Sequence, residues 1–217
     1  MKSLNTTWIV RYGMRWKRLF VFPAGEYRHF YLYRTNKSPF RRLGYWMVDV
    51  VILVGDVLCL PEIYLALEWL ASPVKTFPQM DGSKYRVPYP ADLKTDNIRL
   101  HLNPRIRPNA RVHAYVSFQT INFWGELSDE IFLHELMHIW QFHRVGSIYI
   151  HHALRAQRMI PAYEYGLVSG VLNRWDQVCI WRDFNFEQMA SLGADLELHL
   201  RDFPEDSRAK AILDQFF

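Results

Sequence analysis

The most apolar stretch of the chain runs from Trp46 to Leu60 and continues past Pro61 into a second apolar run. Asp49 and Asp56 interrupt the first run at a spacing of seven, which puts both on one face of a helix. A membrane span needs about 20 apolar residues with few charges, and here acids and a proline intervene. The pattern therefore favours a buried helix with a narrow polar stripe, broken at Pro61, over membrane insertion.

The pattern changes twice after these runs. Residues 72–95 are rich in proline, glycine and polar side chains, which is typical of a linker or a long loop. From Ile98 polar and apolar residues alternate, and β-branched and aromatic residues continue to Phe123, so we expect strands there. We divide the chain into an N-terminal region, residues 1–72, and a second domain, residues 73–217.

Helix signals follow the expected strands. Ser128 is a typical N-cap, and Asp129 and Glu130 occupy the first turn, where the helix dipole favours acids. This helix should end near Gly146, because glycine tolerates the left-handed backbone of a helix C-terminus. Further helices are expected around residues 148–159, 162–172 and 184–201. Strands followed by helices indicate the α+β class.

Charge divides the chain in a similar place. Residues 1–45 carry ten Lys and Arg against one acid, Glu26, whereas the rest carries 16 basic and 21 acidic residues. A basic segment of this kind indicates contact with anionic lipid, with nucleic acid, or with the acidic half of the same protein. It contains no recognisable nucleic-acid motif, so no nucleic-acid partner is expected.

Aromatic residues accompany the basic residues that precede the apolar run, a combination typical of a membrane interface. We expect residues 1–72 to dock on an anionic membrane surface or on a partner protein. The first 20 residues lack the apolar core of a signal peptide. We therefore expect a cytoplasmic or peripherally membrane-associated protein.

The strongest chemical signal is the string His-Glu-Leu-Met-His at residues 134–138. On a helix, His134 and His138 share one face and can bind the same zinc ion. Glu135 can then act as general base toward a water molecule that the metal has acidified. The two cysteines of the chain are too few for a cysteine-based zinc site. The motif predicts a zinc-dependent hydrolase.

The third zinc ligand has several candidates. Glu187 lies in a helical pattern whose same face carries small residues, which would let a second helix approach the HExxH helix closely. His151 or His152 would give an all-histidine site, and Glu164 is another carboxylate. The pattern favours Glu187, and the other three stay open.

Several strings of the chain also resemble the HExxH metallopeptidase domains that accompany bacterial contractile injection systems and polymorphic toxins. The matching residues are Thr120–Phe123, His134–His138, Trp140–Gln141, Tyr163 with Tyr165, and Glu187–Gln188. The resemblance covers about residues 110–200, and Met189 stands where a second glutamine is often found. It implies a minimal zincin-like domain, with a small sheet, an edge strand, the active-site helix and C-terminal helices. It also points to Glu187 as the third ligand, which would make the domain a gluzincin.

Further roles follow from how zincins work. Residues 111–123 would form the edge strand that pairs with an extended peptide substrate. Tyr163 or Tyr165 would suit the donor that stabilises the oxyanion, and the alternative is that both are core aromatic residues. Asp195 would suit a partner that orients a zinc-binding histidine, although the pattern favours a solvated helix face for it.

The expected function is a zinc metallopeptidase that acts on proteins or peptides, as an effector or accessory protease exported by a contractile secretion system without a signal peptide. The alternative is a non-catalytic zinc-containing adaptor of a secretion assembly, or a protein that binds membrane surfaces.

Overall fold

The computed structural model describes residues 12–20, 39–71, 98–105 and 112–216. Three helices come first: α1 (residues 12–20), α2 (Pro39–Val57) and α3 (Leu60–Ala71). Three strands follow: β1 (Arg99–Leu102), β2 (Ala114–Ser117) and β3 (Thr120–Phe123). Six further helices complete the order: α4 (Asp129–Val145), α5 (Ile148–Ala156), α6 (Val168–Leu172), α7 (Ile180–Asp183), α8 (Phe186–Asp202) and α9 (Ser207–Leu213). The predicted α+β class is confirmed. The predicted boundary at residues 72–73 lies outside the described residues.

The sheet is small and mixed, in the order β1-β3-β2. Strand β1 runs parallel to β3, whereas β2 pairs with β3 antiparallel, with Val116 opposite Ile121. The prediction of one edge strand over residues 111–123 is wrong, because the chain reverses at Phe118 and Gln119. Phe118 has a φ of 57°, the left-handed conformation that a tight turn uses. Of the two strands in this stretch, β3 is the central strand of the sheet and only β2 lies at an edge.

Helix α4 has the boundaries that its capping residues predicted. The Ser128 side chain accepts a hydrogen bond from the Ile131 backbone N–H, and Gly146 ends the helix at a φ of 78°. The prediction for residues 162–172 is wrong in its first half, since α6 begins only at Val168. Helix α8 begins after Asn185, which forms a reciprocal capping box with Gln188.

We call the part of the chain from β1 to α9 the body. Helices α4 and α8 pack against each other at its centre. Ala190 and Ala194 are buried in this contact. A Cβ at Gly193 would lie 2.7 Å from Met137 Cε, so only a glycine fits there without movement. The expectation that small residues let a second helix approach the HExxH helix is confirmed.

Helix α2 turns its polar stripe inward. Asp49 is 0% exposed and Asp56 is 2% exposed, with Leu53 between them on the same face, whereas Val51 is 69% exposed. The prediction of a buried helix is therefore wrong, because only one face of the helix is buried, with the two aspartates and Leu53, and many apolar positions lie at the surface. The break also precedes Pro61, which lies in the first turn of α3, where a missing N–H has no cost.

Both aspartates of α2 bind the body. Asp56 accepts hydrogen bonds from the backbone N–H of Ser147, at 2.8 Å, and from the Ser147 hydroxyl. A Cβ at Gly146 would collide with the Asp56 carboxylate, so this glycine also permits the approach. Asp49 contacts His151 Nδ1 at 2.8 Å and His152 Nε2 at 3.0 Å.

Helix α1 joins the same contact through two arginines. Arg15 donates to the backbone carbonyl of Asp56 and forms an ion pair with Glu62 of α3. Arg18 donates to the carbonyl of His143 near the end of α4. Two residues of the basic segment therefore contact the acidic part of the same chain. This was one of the three partners that the charge pattern indicated, beside anionic lipid and nucleic acid.

Among the described residues, no single helix has the length and apolar character needed to cross a membrane. Residues Leu43–Val57 and Leu60–Glu68 meet that requirement only as a pair, which is bent by 68°.

Candidate metal centre

Three side chains from two helices converge on one point. His134 and His138 lie one turn apart on α4, and Glu187 lies in the first turn of α8. Glu187 Oε2 is 3.2 Å from His134 Nε2 and 3.4 Å from His138 Nε2. The three atoms lie within 4.8 Å of one another, so that one ion could contact them all.

The spacing of these atoms fits a tetrahedral metal. Bonds of about 2.0–2.1 Å at tetrahedral angles set two ligand atoms roughly 3.3 Å apart. The two distances to Glu187 Oε2, 3.2 and 3.4 Å, lie on either side of that value. Two imidazole nitrogens and one carboxylate oxygen are also a donor set that zinc accepts, with a fourth position left for water.

Each of the three residues is held by a polar partner on its other side. His138 Nδ1 lies 2.8 Å from Gln141 Oε1, and His134 Nδ1 lies 3.3 Å from Ser191 Oγ. When Nδ1–H donates in both rings, each Nε2 keeps a lone pair directed at the shared point. Gln157 Nε2 donates to the remaining Glu187 oxygen at 2.9 Å.

Gln141 also connects the two helices. Its side-chain nitrogen donates to the backbone carbonyl of Phe186 at 2.8 Å, immediately before Glu187. The same amide therefore orients His138 and fixes the start of α8, and Gln141 is fully buried. Partners of this kind raise metal affinity by holding ligands in position.

The electrostatics of the cluster favour a cation. Burial alone would raise the pKa of Glu187, but the adjacent His138 and His134 hold it well below its usual range. Burial would lower the pKa of His138, yet Glu187 and then Glu135 raise it to about 9. Two carboxyl groups thus create a negative potential at the point where a metal would sit.

Glu135 differs from Glu187. It is 7% exposed, and burial raises its pKa, although His138 and His134 act in the opposite direction. A carboxyl with a raised pKa holds a proton more readily than an ordinary glutamate, which suits a group that must take up and release one.

The cluster lines a cleft of about 630 Å³. Edge strand β2 forms one wall, and no described strand pairs with its outer edge. Tyr149 fixes this wall, because its hydroxyl donates to the backbone carbonyl of Val116 at 3.3 Å. The cluster therefore lies beside an edge of the sheet.

The two tyrosines proposed as oxyanion donors take different positions. Tyr163 lines the cleft, and its ring centroid is 6.1 Å from that of His134. Burial and the charges of Glu187 and Glu135 raise the pKa of Tyr163 to about 12, so it keeps its proton. Tyr165 does not line this cleft and donates its hydroxyl to Asp195. The Nδ1 atoms of the two histidines contact Ser191 and Gln141, so these residues take the orienting role that was expected of Asp195.

The other candidate ligands lie elsewhere. His151 and His152 bind Asp49, at ordinary hydrogen-bond distances of 2.8 and 3.0 Å. These three residues could also hold an ion, but the contacts already explain them as an anchor for α2. Glu164 is exposed, and its backbone carbonyl accepts from Gln188.

The sequence-based reasoning missed three residues of this site. Gln141 enters the sequence analysis only within the family resemblance, Ser191 is one of the small residues on the helix face of Glu187, and no sequence pattern singles out Gln157. The i, i+3 spacing of His138 and Gln141 on α4 could have identified Gln141. Gln157 follows the end of α5, and only the packing of that helix brings it to Glu187.

Comparison of the chain with protein-family models, with curated proteins and with solved structures finds no match.

Proposed function

We propose that the protein is a zinc metallopeptidase of the zincin type, with His134, His138 and Glu187 as ligands. The observation that supports it best is the convergence of two imidazole nitrogens and one carboxylate oxygen at distances of 3.2 and 3.4 Å. When bound there, zinc would lower the pKa of a water molecule at its open position and polarise a peptide carbonyl.

Glu135 is the general base in this proposal. It lines the cleft beside both histidines, and its raised pKa suits a group that takes a proton from the attacking water and passes it to the leaving amine. Because it is almost fully buried, few solvent molecules compete for that proton.

Residues of the cleft would bind the substrate and stabilise the oxyanion. An extended peptide would add to the outer edge of β2, whose backbone groups hold it in register. The Tyr163 hydroxyl, protonated at neutral pH, would donate a hydrogen bond to the carbonyl oxygen as negative charge develops there. Tyr165 would act on the cleft indirectly, through Asp195.

A non-catalytic adaptor with a structural metal is the alternative. Structural zinc sites are commonly closed by four protein ligands. Three ligands beside an open cleft, together with a buried Glu135, favour catalysis.

The peptidase proposal is tested with zinc-loaded protein and a proteome-derived peptide library, with cleavage products identified by mass spectrometry. We expect cleavage by the wild type and at least a hundredfold less by Glu135→Gln, which should keep its zinc because Glu135 is not a ligand. Glu126→Gln, a change outside the cleft lining, is the matched control. Equal cleavage by Glu135→Gln, or none by fully loaded wild type, would contradict the proposal.

A further inference from the structure

The outer faces of α2 and α3 are apolar. On α2 the exposed stripe follows helical spacing through Leu43, Met47, Val51 and Val54 and ends at Leu58, directly after the helix; these residues are 40–69% exposed. On α3 the stripe continues through Leu60, Ile63, Leu67 and Leu70, which are 51–68% exposed. Proteins that stay in water rarely expose a continuous apolar surface of this kind. We call these nine residues the outer stripe.

The acids of both helices turn away from the outer stripe. Asp49 and Asp56 bind the body, as described above. Glu68 accepts from the Ser117 hydroxyl at 3.3 Å, and Glu62 forms the ion pair with Arg15. All four acids of α2 and α3 therefore have partners within the protein, so the stripe can leave water without carrying an uncompensated negative charge.

Helix α1 lies where α2 and α3 meet, because Arg15 binds a residue of each. Its exposed side chains include Trp16, Lys17 and Phe20, and the two aromatic rings stack with centroids 6.1 Å apart. Aromatic rings beside a lysine are typical of the headgroup level of a bilayer.

We propose that the outer stripe docks on the surface of a bilayer that contains anionic lipid. The apolar side chains enter the boundary between headgroups and acyl chains, and the exposed Lys17 of α1 contacts the lipid phosphates. Charge complementarity decides for this occupant, since residues 1–45 carry eight basic residues besides Arg15 and Arg18, which bind the rest of the chain, against one acid. A second copy of the chain would bring the same basic segment against itself.

This inference is independent of the metal site, and its test needs no metal. Full-length protein is floated with vesicles of phosphatidylcholine, with and without about one third phosphatidylglycerol, at low and high salt. Wild type should float with the anionic vesicles, at least tenfold less with the neutral ones, and more weakly at high salt.

Two double variants with the same chemical change locate the surface. Leu43→Gln/Leu67→Gln alters one leucine of each helix in the outer stripe, and should lower vesicle binding by about tenfold or more. Leu102→Gln/Leu167→Gln alters two leucines of the body that are 54% and 77% exposed, and should bind like the wild type. Circular dichroism checks that both variants fold.

Three results would overturn the proposal. Wild type could fail to float with either vesicle, or the Leu43/Leu67 variant could float as well as the wild type. Light scattering could also show a wild-type dimer that the Leu43/Leu67 variant converts to monomer, in which case a second copy covers the stripe.

Discussion

The body of the protein and its N-terminal helices use their polar residues in opposite ways. In the body, α4 and α8 bury apolar residues against each other and direct His134, Glu135 and Glu187 into a cleft. In α2, the polar residues Asp49 and Asp56 face the body together with Leu53, and a row of large apolar residues faces outward. Sixteen of the 24 exposed large hydrophobic side chains lie before residue 72, although the structure describes far fewer residues there.

Buried polar residues therefore have two roles in this chain: some form the candidate metal site, and others attach a helix. In the cleft, polar atoms are held at distances that suit a metal. In α2, the two aspartates form hydrogen bonds that attach the helix to the body, and the apolar side of the helix is exposed. Changes in the first group should alter metal binding and activity, whereas changes in the second should alter stability.

The largest expected effect is at Glu187. Glu187→Ala removes one of three ligands and should lower zinc affinity by more than the roughly 10–100-fold typical for loss of a ligand's partner. Glu164→Ala is the matched control, because that carboxylate is exposed and should leave affinity unchanged. Competition with a zinc-sensitive chelator measures both. Similar affinities for the two variants would mean that Glu187 is not a ligand.

Gln141 should have the next largest effect. Gln141→Leu keeps most of the volume but removes the hydrogen bonds to His138 and to the Phe186 carbonyl, so zinc affinity should fall by about 10–100-fold. Gln177→Leu, at an exposed position, provides the comparison. The same competition assay applies, and an unchanged affinity in Gln141→Leu would show that His138 needs no such partner.

Asp49 tests the anchoring role. Asp49→Asn removes the charge and one acceptor that bind His151 and His152, so the protein should lose about 1–3 kcal/mol of unfolding free energy. Its zinc affinity should stay within about threefold of the wild type. Denaturant unfolding measures the loss, with the exposed Asp176→Asn as control. A large loss of zinc affinity with unchanged stability would instead assign Asp49 to a metal site.

The effect that is confined to high pH concerns Glu197, which is 6% exposed and whose Oε1 lacks a hydrogen-bond partner among the described residues. Burial raises the pKa of Glu197 to about 7, against an opposing effect of Arg201. The folded state thus holds this proton more tightly than the unfolded state, and the stability it contributes below pH 4.5 is lost as pH rises through 7.

Glu197→Gln should therefore stabilise the protein by about 1–3 kcal/mol at pH 8.5 and by little at pH 4.5. Thermal unfolding at both pH values measures this. A gain that is equal at both, or larger at the lower pH, would contradict the assignment.

The sequence was informative where chemistry is local. The sequence pattern alone predicted the caps at Ser128 and Gly146 and the shared helix face of His134 and His138. Each of these features depends on residues only a few positions apart. The hairpin at Phe118 was missed because a phenylalanine in the left-handed conformation gives no turn signal.

Contacts between distant residues could not be read in the same way. Pairing of Asp49 with His151 and His152 joins positions about 100 apart, so those histidines stayed open as ligands until the packing of α5 on α2 was known. Hydrophobicity alone also predicted the wrong exposed face for α2. The partners of its aspartates, Ser147 and two histidines, are distant in sequence, so no local pattern indicates them.

The most direct test of the central proposal is a structure of the zinc-loaded protein with the metal located by anomalous scattering. We predict one zinc ion, with His134 Nε2 and His138 Nε2 at about 2.0–2.1 Å, one Glu187 oxygen at about 2.0–2.2 Å and a fourth position facing the cleft. Zinc at Asp49 alone, or a Glu187 carboxylate more than about 4 Å from the metal, would contradict the account.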